Sequence, residues 1–210
     1  MFARRRDTTE PSRLTRRAEK RLIDQARGGC EDSARRLVES HQDRLFAFVW
    51  RVVRHHHEAE EICQEAFLRA FGSLDSFSAE FRFSTWLFTI AYRLCLNQLR
   101  RRKSLTGEMD FGVLVSSEPD ASERLAESEE ARRLKDEIWG AVERLSVPQR
   151  AAVLLFYREG LSCEAIAATL GVPVATAKSH LHRARARLRD SLAGMVEDHS
   201  QIQSLREAAS

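Results

Sequence analysis

The sequence predicts an all-α protein of two small helical domains, joined by a flexible acidic linker, with a helix-turn-helix in the second domain. Apolar residues recur with helical spacing in both halves, and sustained period-two alternation is absent. Between the halves, residues 104–130 hold eight acidic residues against Arg124 alone, together with Gly, Pro and several Ser. The predicted divisions are a disordered basic arm over 1–21, a first domain over 22–103, the linker over 104–130, a second domain over 131–195 and a tail over 196–210.

Composition and charge argue against a membrane-spanning or a secreted protein. The chain has 210 residues, 31% of them charged, and a formal net charge of only +3, because opposite charges are segregated along it. No run of 18 apolar residues exists, so we expect no membrane insertion, and the basic N-terminus lacks the apolar segment of a secretory signal. The arm is expected to be a solvated segment; an auxiliary DNA contact is the alternative.

The four cysteines indicate a reducing compartment, and we expect the protein to be cytoplasmic. Cys30, Cys63, Cys95 and Cys163 are widely spaced and form no Cys-x-x-Cys pair. Cys63 and Cys95 lie on apolar faces of predicted helices, where a free cysteine behaves as a small hydrophobic residue.

Residues 161–189 have the local signals of two short helices joined by a tight turn. Ser162 can cap the first helix, and Glu164 stands in its positive first turn. Gly171 suits the left-handed position that ends this helix, and Pro173 suits the start of the next. This pattern is typical of a helix-turn-helix, which places its second helix in the DNA major groove.

The second of these helices divides into an apolar and a basic face when it is rotated by 100° per residue. The apolar stripe consists of Val174, Ala177, Leu181, Ala184, Leu188 and Leu192. The opposite face collects Thr176, Ser179, His182 and Arg183, and longer cations flank the stripe. Residues 173–189 contain five Lys or Arg and no acid, which favours nucleic-acid binding. An ordinary amphipathic helix with a solvated basic face is the alternative.

An acidic face is predicted on the helix that spans residues 57–71. Ala59, Ile62, Cys63, Ala66 and Ala70 form its buried stripe. The face opposite this stripe carries Glu61, Gln64 and Glu65, with Leu68 at its centre. An exposed leucine among acids suits docking onto a basic helix of another protein. A solvated acidic face with one stray leucine remains the alternative.

The following segment combines aromatic residues with cations. A polar loop holds Phe77 and Phe81, a helix is expected to begin near Ser84 as its cap, and the segment ends in a basic cluster over 100–103. Aromatic rings that stack on bases, beside cations that hold the backbone, are what single-stranded nucleic-acid binding requires. Trp86, Leu87, Ile90 and Leu94 are expected to be core residues.

No catalytic pattern is present, so neither an enzyme nor a cofactor is predicted. The sequence lacks a Walker phosphate loop, a nucleotide-binding Gly pattern and a plausible catalytic dyad. His55, His56 and His57 are better explained as a polar helix boundary than as a metal site, because adjacent helical residues point apart. Two functions remain as alternatives at this point: a dimeric repressor or activator that binds duplex DNA, and a metal-dependent hydrolase that uses the His cluster.

Three blocks of the chain, in order, resemble the extracytoplasmic-function group of bacterial RNA polymerase sigma factors. They are AEEICQEAFLRAFGSLDSF, FSTWLFTIAYRLCLNQLRRR and LSVPQRAAVLLFYREGLSCEAIAATLGVPVATAKSHLHRARARLR. The resemblance covers about residues 22–103 and 131–192 and implies a transcription initiation factor without catalysis of its own. It implies three partners: core RNA polymerase through its β′ clamp helices and β flap, promoter DNA, and an anti-sigma factor.

The resemblance also assigns roles to residues. The polymerase-binding candidates are Glu61, Gln64, Glu65 and Leu68. The candidates for reading a melted minus-10 element, where a flipped base would be captured near Phe77, are Phe77, Thr89, Arg93, Asn97 and Arg100. The candidates for reading a duplex minus-35 element, with Arg187 expected at phosphate, are Thr176, Lys178, Ser179, His182, Arg183, Arg185 and Arg187.

Overall fold

The computed structural model describes residues 14–78, 80–106 and 129–208, and every element in these ranges is helical. The first domain comprises α1 (Arg16–Arg27), α2 (Glu31–Val53), α3 (His56–Gly72), a 3-10 turn (Leu74–Ser76) and α4 (Phe83–Thr106). The second comprises α5 (Glu129–Glu143), α6 (Val147–Tyr157), α7 (Cys163–Leu170) and α8 (Val174–Ala208). The all-α class with two helical domains is therefore confirmed.

The first domain is built around α2, which packs against α1, α3 and α4. Leu37, Leu45 and Val49 of α2 are fully buried, and the Phe48 ring meets Phe88 of α4 edge to face at 5.1 Å between centroids. The stripe predicted on α3 is buried as expected, with Ala59, Ile62, Cys63, Ala66 and Ala70 all in the core. Leu87 is also buried, and Trp86, Ile90 and Leu94 pack against the core as predicted.

The helix-turn-helix is formed by α7 and α8 as the sequence predicts. The Ser162 side chain accepts a hydrogen bond from the Ala165 amide at 3.2 Å, which caps α7. Gly171 ends α7 with φ of 68°, the left-handed conformation that residues with a Cβ adopt only with strain. The turn directs α8 back across the domain, where Ala177, Leu181 and Ala184 of the predicted stripe are buried.

Three boundaries differ from the sequence predictions. α1 begins at Arg16, so the arm predicted over 1–21 is helical from that residue, and residues 1–13 lie outside the described residues. α4 begins at Phe83, which puts Ser84 inside the first turn and not at the cap. α8 continues through the predicted tail as far as Ala208. Of the predicted linker, residues 107–128 lie outside the described residues.

The two domains pack against each other, which the sequence did not predict. α4 lies against α7, and α2 lies against α6. Arg150 of α6 is buried and donates hydrogen bonds to the Val52 carbonyl of α2 at 3.1 Å and to the Glu143 carbonyl at 3.0 Å. Burial, together with the nearby charge of Arg54, lowers the pKa of Arg150 to about 10 although Glu143 opposes this, so the residue stays charged at neutral pH.

Further polar contacts join the same two domains. Arg54 pairs with Glu143 at 2.6 Å, and Arg44 pairs with the buried Glu159. The Arg51 guanidinium lies 3.9 Å from the centre of the Trp139 ring in α5. These contacts fix one closed arrangement of the domains.

Among the described residues, no helix is long and apolar enough to cross a membrane.

Candidate nucleic-acid interface

The aromatic loop between α3 and α4 is held in place by side chains from α1. Arg27 donates to the Leu74 carbonyl through Nε at 3.1 Å and Nη2 at 3.0 Å, and Nη2 also reaches the Phe77 carbonyl at 2.7 Å. At the far end of the loop, Arg82 donates to the Leu14 carbonyl at 2.6 Å and lies 3.4 Å from Glu19. α1 therefore contacts both ends of the loop.

Phe77 is half-buried and does not project freely from this loop. Its ring lies 5.2 Å from that of Trp86 and 5.9 Å from that of Phe83, between centroids. A cleft of about 100 Å³ opens beside it, between α1 and the loop. Its lining mixes aromatic, cationic and acidic side chains and consists of Arg16, Glu19, Lys20, Ile23, Asp24, Arg27, Phe77, Phe81, Arg82 and Phe83.

Next to the loop, α4 presents a polar face to solvent. Arg93, Asn97 and Arg100 are exposed, and their spacing of four and three residues places them on one side of the helix. Thr89 stands one turn earlier and is half-buried, and its hydroxyl donates to the Thr85 carbonyl at 2.8 Å. Arg93, Asn97 and Arg100 thus share one face of α4, with Thr89 one turn before them, and Phe77 meets the start of the same helix through Phe83 and Trp86.

The acidic face of α3 has the geometry that the rotation predicted. Leu68 is 68% exposed, which is unusual for a leucine whose helix is otherwise well packed, and Glu61 and Gln64 are exposed beside it. Glu65 is half-exposed and pairs with Arg69 at 2.7 Å, one turn further along. The four predicted residues therefore share one accessible surface, which we call the α3 acidic face.

The basic face of α8 divides into two groups of residues. Lys178, Ser179, His182 and Arg183 are exposed, and Thr176 is half-buried at the start of the helix. Burial, with a further contribution from Arg183, lowers the pKa of the neighbouring His180, so that imidazole is neutral at pH 7 and the positive charge of this part of α8 lies on Lys178 and Arg183.

Arg185 and Arg187 differ from the first group because they contact α6. Arg185 donates to the Tyr157 hydroxyl at 2.8 Å, and its guanidinium lies 5.0 Å from the centre of the Phe156 ring. Arg187 donates to the Gln149 side chain at 3.3 Å. Both side chains remain exposed, but their contacts direct them along the flank of α8 and away from its outward face.

The His cluster forms a helix boundary, as predicted. Nδ1 of His55 accepts a hydrogen bond from the Glu58 amide at 3.3 Å and caps α3, while His56 and His57 face glutamates on the same helix. In the part of the chain that the structure describes, no three His, Cys, Asp or Glu residues are grouped to hold a metal ion.

Sequence reasoning missed the contribution of α1 to this site. The sequence-based candidates lack Arg27, Glu19 and the Glu19 partner Arg82, because cations make the segment resemble an extension of the basic arm. The signal that could have found them is a Thr15 cap followed by Leu22, Ile23 and Ala26 at helical spacing.

Comparison with known proteins agrees with this architecture. The sigma-70 region 2 family model matches residues 37–105, and the sigma-70 region 4 model matches residues 135–188. The ECF RNA polymerase sigma factor SigW of Bacillus subtilis is 33% identical over 179 residues, which is 82% of this chain and 96% of the relative. The ECF RNA polymerase sigma-E factor of Escherichia coli is 31% identical over 173 residues, which is 78% of this chain and 88% of the relative.

Solved structures show the same fold. The sigma factor RpoE from Bartonella quintana, in complex with the anti-sigma factor NepR, superposes with a TM-score of 0.63 at 27% identity, over 76% of this chain and 96% of that one. CnrH, in complex with the cytosolic domain of CnrY, gives a TM-score of 0.61 at 22% identity, over 84% of this chain and 97% of that one.

Fold and surfaces together define a two-domain helical transcription factor whose second domain is a helix-turn-helix. The chain belongs to the extracytoplasmic-function group of the sigma-70 family of RNA polymerase sigma factors. It is therefore a transcription initiation factor that directs RNA polymerase to promoters, and it is not an enzyme. The resemblance recognised in the sequence is confirmed.

Proposed function

We propose that this sigma factor reads the minus-35 element as duplex DNA through α8 and the minus-10 element as melted strand through the Phe77 loop and α4. The observation that carries the first half is the arrangement of α8, where Ser179, His182 and Arg183 are exposed opposite a buried stripe and Lys178 is exposed on its flank. Such a helix can approach base edges while its other side stays anchored in the domain.

The melted-strand half of the proposal is supported by the grouping of an aromatic loop with the polar face of α4. Arg93 and Arg100 offer positive charge for phosphates, and Asn97 offers both hydrogen-bond donors and an acceptor. Opening a duplex costs unpairing and unstacking, and capture of an extruded base beside Phe77 offsets that cost.

Three protein contacts complete the proposal. The α3 acidic face would dock on the β′ clamp helices of core polymerase, with Leu68 as its apolar anchor. The second domain would bind the β flap. An anti-sigma factor would hold the protein inactive, since the related RpoE from Bartonella quintana was crystallised with one. A factor that joins polymerase and chromosome in this way would work in the cytoplasm.

A pair of substitutions on α8 tests the reading of the minus-35 element. Arg183→Ala should weaken binding there by about 1–3 kcal/mol and relax the base preference, because its exposed guanidinium would meet base edges. Arg187→Ala is the matched control on the same helix. Since Arg187 lies on the flank, its loss should weaken all sequences about equally and reduce the salt slope by roughly one.

The measurement is binding of holoenzyme to promoters with a randomised minus-35 element, at two salt concentrations. An Arg183→Ala holoenzyme with wild-type base preference would show that α8 docks in another orientation. Mapping transcription starts genome-wide with the reconstituted holoenzyme would identify both elements. A footprint on palindromic DNA without polymerase would instead favour a dimeric repressor or activator.

A further inference from the structure

The contact between α1 and the Phe77 loop is specific enough to suggest a function. Arg27 uses both Nε and Nη2 to hold two backbone carbonyls at once, those of Leu74 and Phe77. These carbonyls stand at the start and just beyond the end of the 3-10 turn. An arginine side chain that donates to two acceptors fixes both the orientation and the position of the loop backbone, because its donors lie in one rigid plane.

The other end of the loop is tied to the same helix through a buried acid. Arg82 lies 3.4 Å from Glu19, which is almost fully buried and also lies 3.5 Å from His41 of α2. Burial of Glu19 disfavours its charge, but His41 and Arg82 outweigh this and lower the pKa of Glu19, so the carboxylate is ionised at neutral pH and holds Arg82. The loop between Phe77 and Arg82 is thus fastened to α1 at both ends.

We infer that α1 is a brace for the minus-10 loop and that Arg27 is a positioning residue, which acts on melted DNA through Phe77. The inference rests on the proposed role of Phe77 in capturing an unpaired base. A loop that is already ordered captures that base without the cost of ordering its own backbone. Arg27 itself faces the backbone of the loop and need not touch DNA.

Hydrogen exchange in the free, full-length protein tests the brace directly. Arg27→Met keeps an apolar stem but removes every donor, so amide exchange should rise several-fold across residues 73–82 and stay unchanged in α3 and α4. Arg21→Met is the matched control, since it removes the same charge from an exposed position on the same helix. Unchanged exchange in residues 73–82 of Arg27→Met would overturn the inference, whatever the promoter results.

Promoter opening by the holoenzyme tests the functional consequence. Arg27→Met should slow opening, measured by permanganate reactivity of the melted strand, by about tenfold, which corresponds to the loss of one or two net hydrogen bonds. Affinity for core polymerase and for closed promoter DNA should stay at the wild-type level, and Arg21→Met should open promoters normally. A fall in closed-complex affinity as large as the fall in opening would overturn the inference.

A double-mutant cycle shows whether Arg27 acts through Phe77. If it does, Arg27→Met should add little to the defect of Phe77→Ala, because the group being positioned is already gone. Fully additive defects would overturn the inference. Normal opening by Phe77→Ala, together with raised exchange in Arg27→Met, would instead overturn the proposed function of the loop and leave the brace standing. Arg82→Met, at the other end of the loop, gives an independent repeat if Arg27→Met does not fold.

Discussion

At the scale of single residues, the buried charge of Glu19 shows how local partners decide ionisation. Its carboxylate is only 3% exposed, and burial alone would raise its pKa. The attraction of His41, whose Nε2 lies 3.5 Å from the carboxylate, and the charge of Arg82 act in the opposite direction and prevail, so the pKa of Glu19 lies below its ordinary value of 4.5. A group with a lowered pKa in the folded state stabilises the fold in its charged form.

The acid dependence of stability follows from this direction. Because the folded pKa is lowered, the contribution of Glu19 is fully present above about pH 4.5 and is lost as the pH falls through the folded value. Glu19→Gln should therefore destabilise the protein at pH 7 but lose less further stability than wild type between about pH 5 and pH 3. Urea unfolding over this range, with the exposed Glu39→Gln as control, measures the difference. Parallel curves for wild type and Glu19→Gln would contradict the assignment.

Cysteine reactivity is a second prediction at this scale. Cys30 is exposed, and a hydrogen bond from the Ser33 hydroxyl lowers the pKa of its thiol. Cys63 and Cys95 are buried as the sequence predicted, and burial raises the pKa of both thiols, that of Cys63 to about 12. Ellman's reagent should therefore label Cys30 first, the half-buried Cys163 more slowly, and Cys63 and Cys95 only on unfolding. Cys30→Ser should remove the fast phase; a fast phase that persists would show that another thiol reacts as quickly as Cys30.

At the scale of elements, the sequence predicts what helical periodicity alone determines. The buried stripes of α3 and α8 follow from residues three and four positions apart, so the amino-acid order is enough to derive their exposed faces. α1 is harder to derive, because its cations obscure the helical spacing of Leu22, Ile23 and Ala26, and the burial of Leu22 and Ile23 depends on packing against α2. The half-burial of Phe77 likewise depends on Trp86 and Phe83, whose rings meet it only after the chain turns.

Glycine conformation at the end of α7 gives a prediction for the helix-turn-helix. Gly171 has φ of 68°, and a Cβ at this position would enter open space, so Gly171→Ala should cost about 1 kcal/mol through backbone strain alone. Gly140 lies inside α5, and a Cβ at this position would meet only the Nη1 atom of Arg144, at 3.8 Å, which is an ordinary contact. Gly140→Ala should therefore stabilise the protein by about 0.5–1 kcal/mol. Denaturant unfolding of both variants measures the contrast, and equal effects would contradict it.

Docking by the α3 acidic face is the second prediction at this scale. Glu65→Lys reverses a half-exposed charge and leaves Arg69 facing a second cation, so it should weaken binding to core polymerase by a few kcal/mol at most and make it less sensitive to salt. Recovery of polymerase in a pull-down at moderate salt is the measurement. Glu39→Lys makes the same charge change on an exposed part of α2 and should bind normally. Equal recovery of both variants would remove α3 from the interface.

At the scale of the whole molecule, the closed arrangement of the domains conflicts with the proposed reading of two promoter elements at once. Elements centred roughly 25 base pairs apart lie about 85 Å apart along B-form DNA. A compact chain of this length has a radius of gyration of only about 17 Å. Residues 107–128 can span at most about 75 Å when extended, which is enough to let the domains separate without breaking their connection. If the factor reads both elements as proposed, the contacts between α2 and α6 must break first.

Arg44 and Glu159 allow this opening to be controlled by charge. Arg44→Glu would face the buried Glu159 with a like charge, so the closed form should be destabilised and the radius of gyration in solution scattering should rise. Glu159→Arg should act in the same direction. Because polymerase would bind the open form, each single variant should also bind core polymerase more tightly, in proportion to the rise in the open fraction.

The double variant, Arg44→Glu with Glu159→Arg, restores an opposite pair and should return the radius of gyration and the polymerase affinity toward wild type. Arg36→Glu, at an exposed position on α2, should change neither property. A double variant as expanded as the singles would show that this pair does not hold the domains together, and the closed form would then depend on Arg150, whose hydrogen bond to the Val52 carbonyl crosses the same interface.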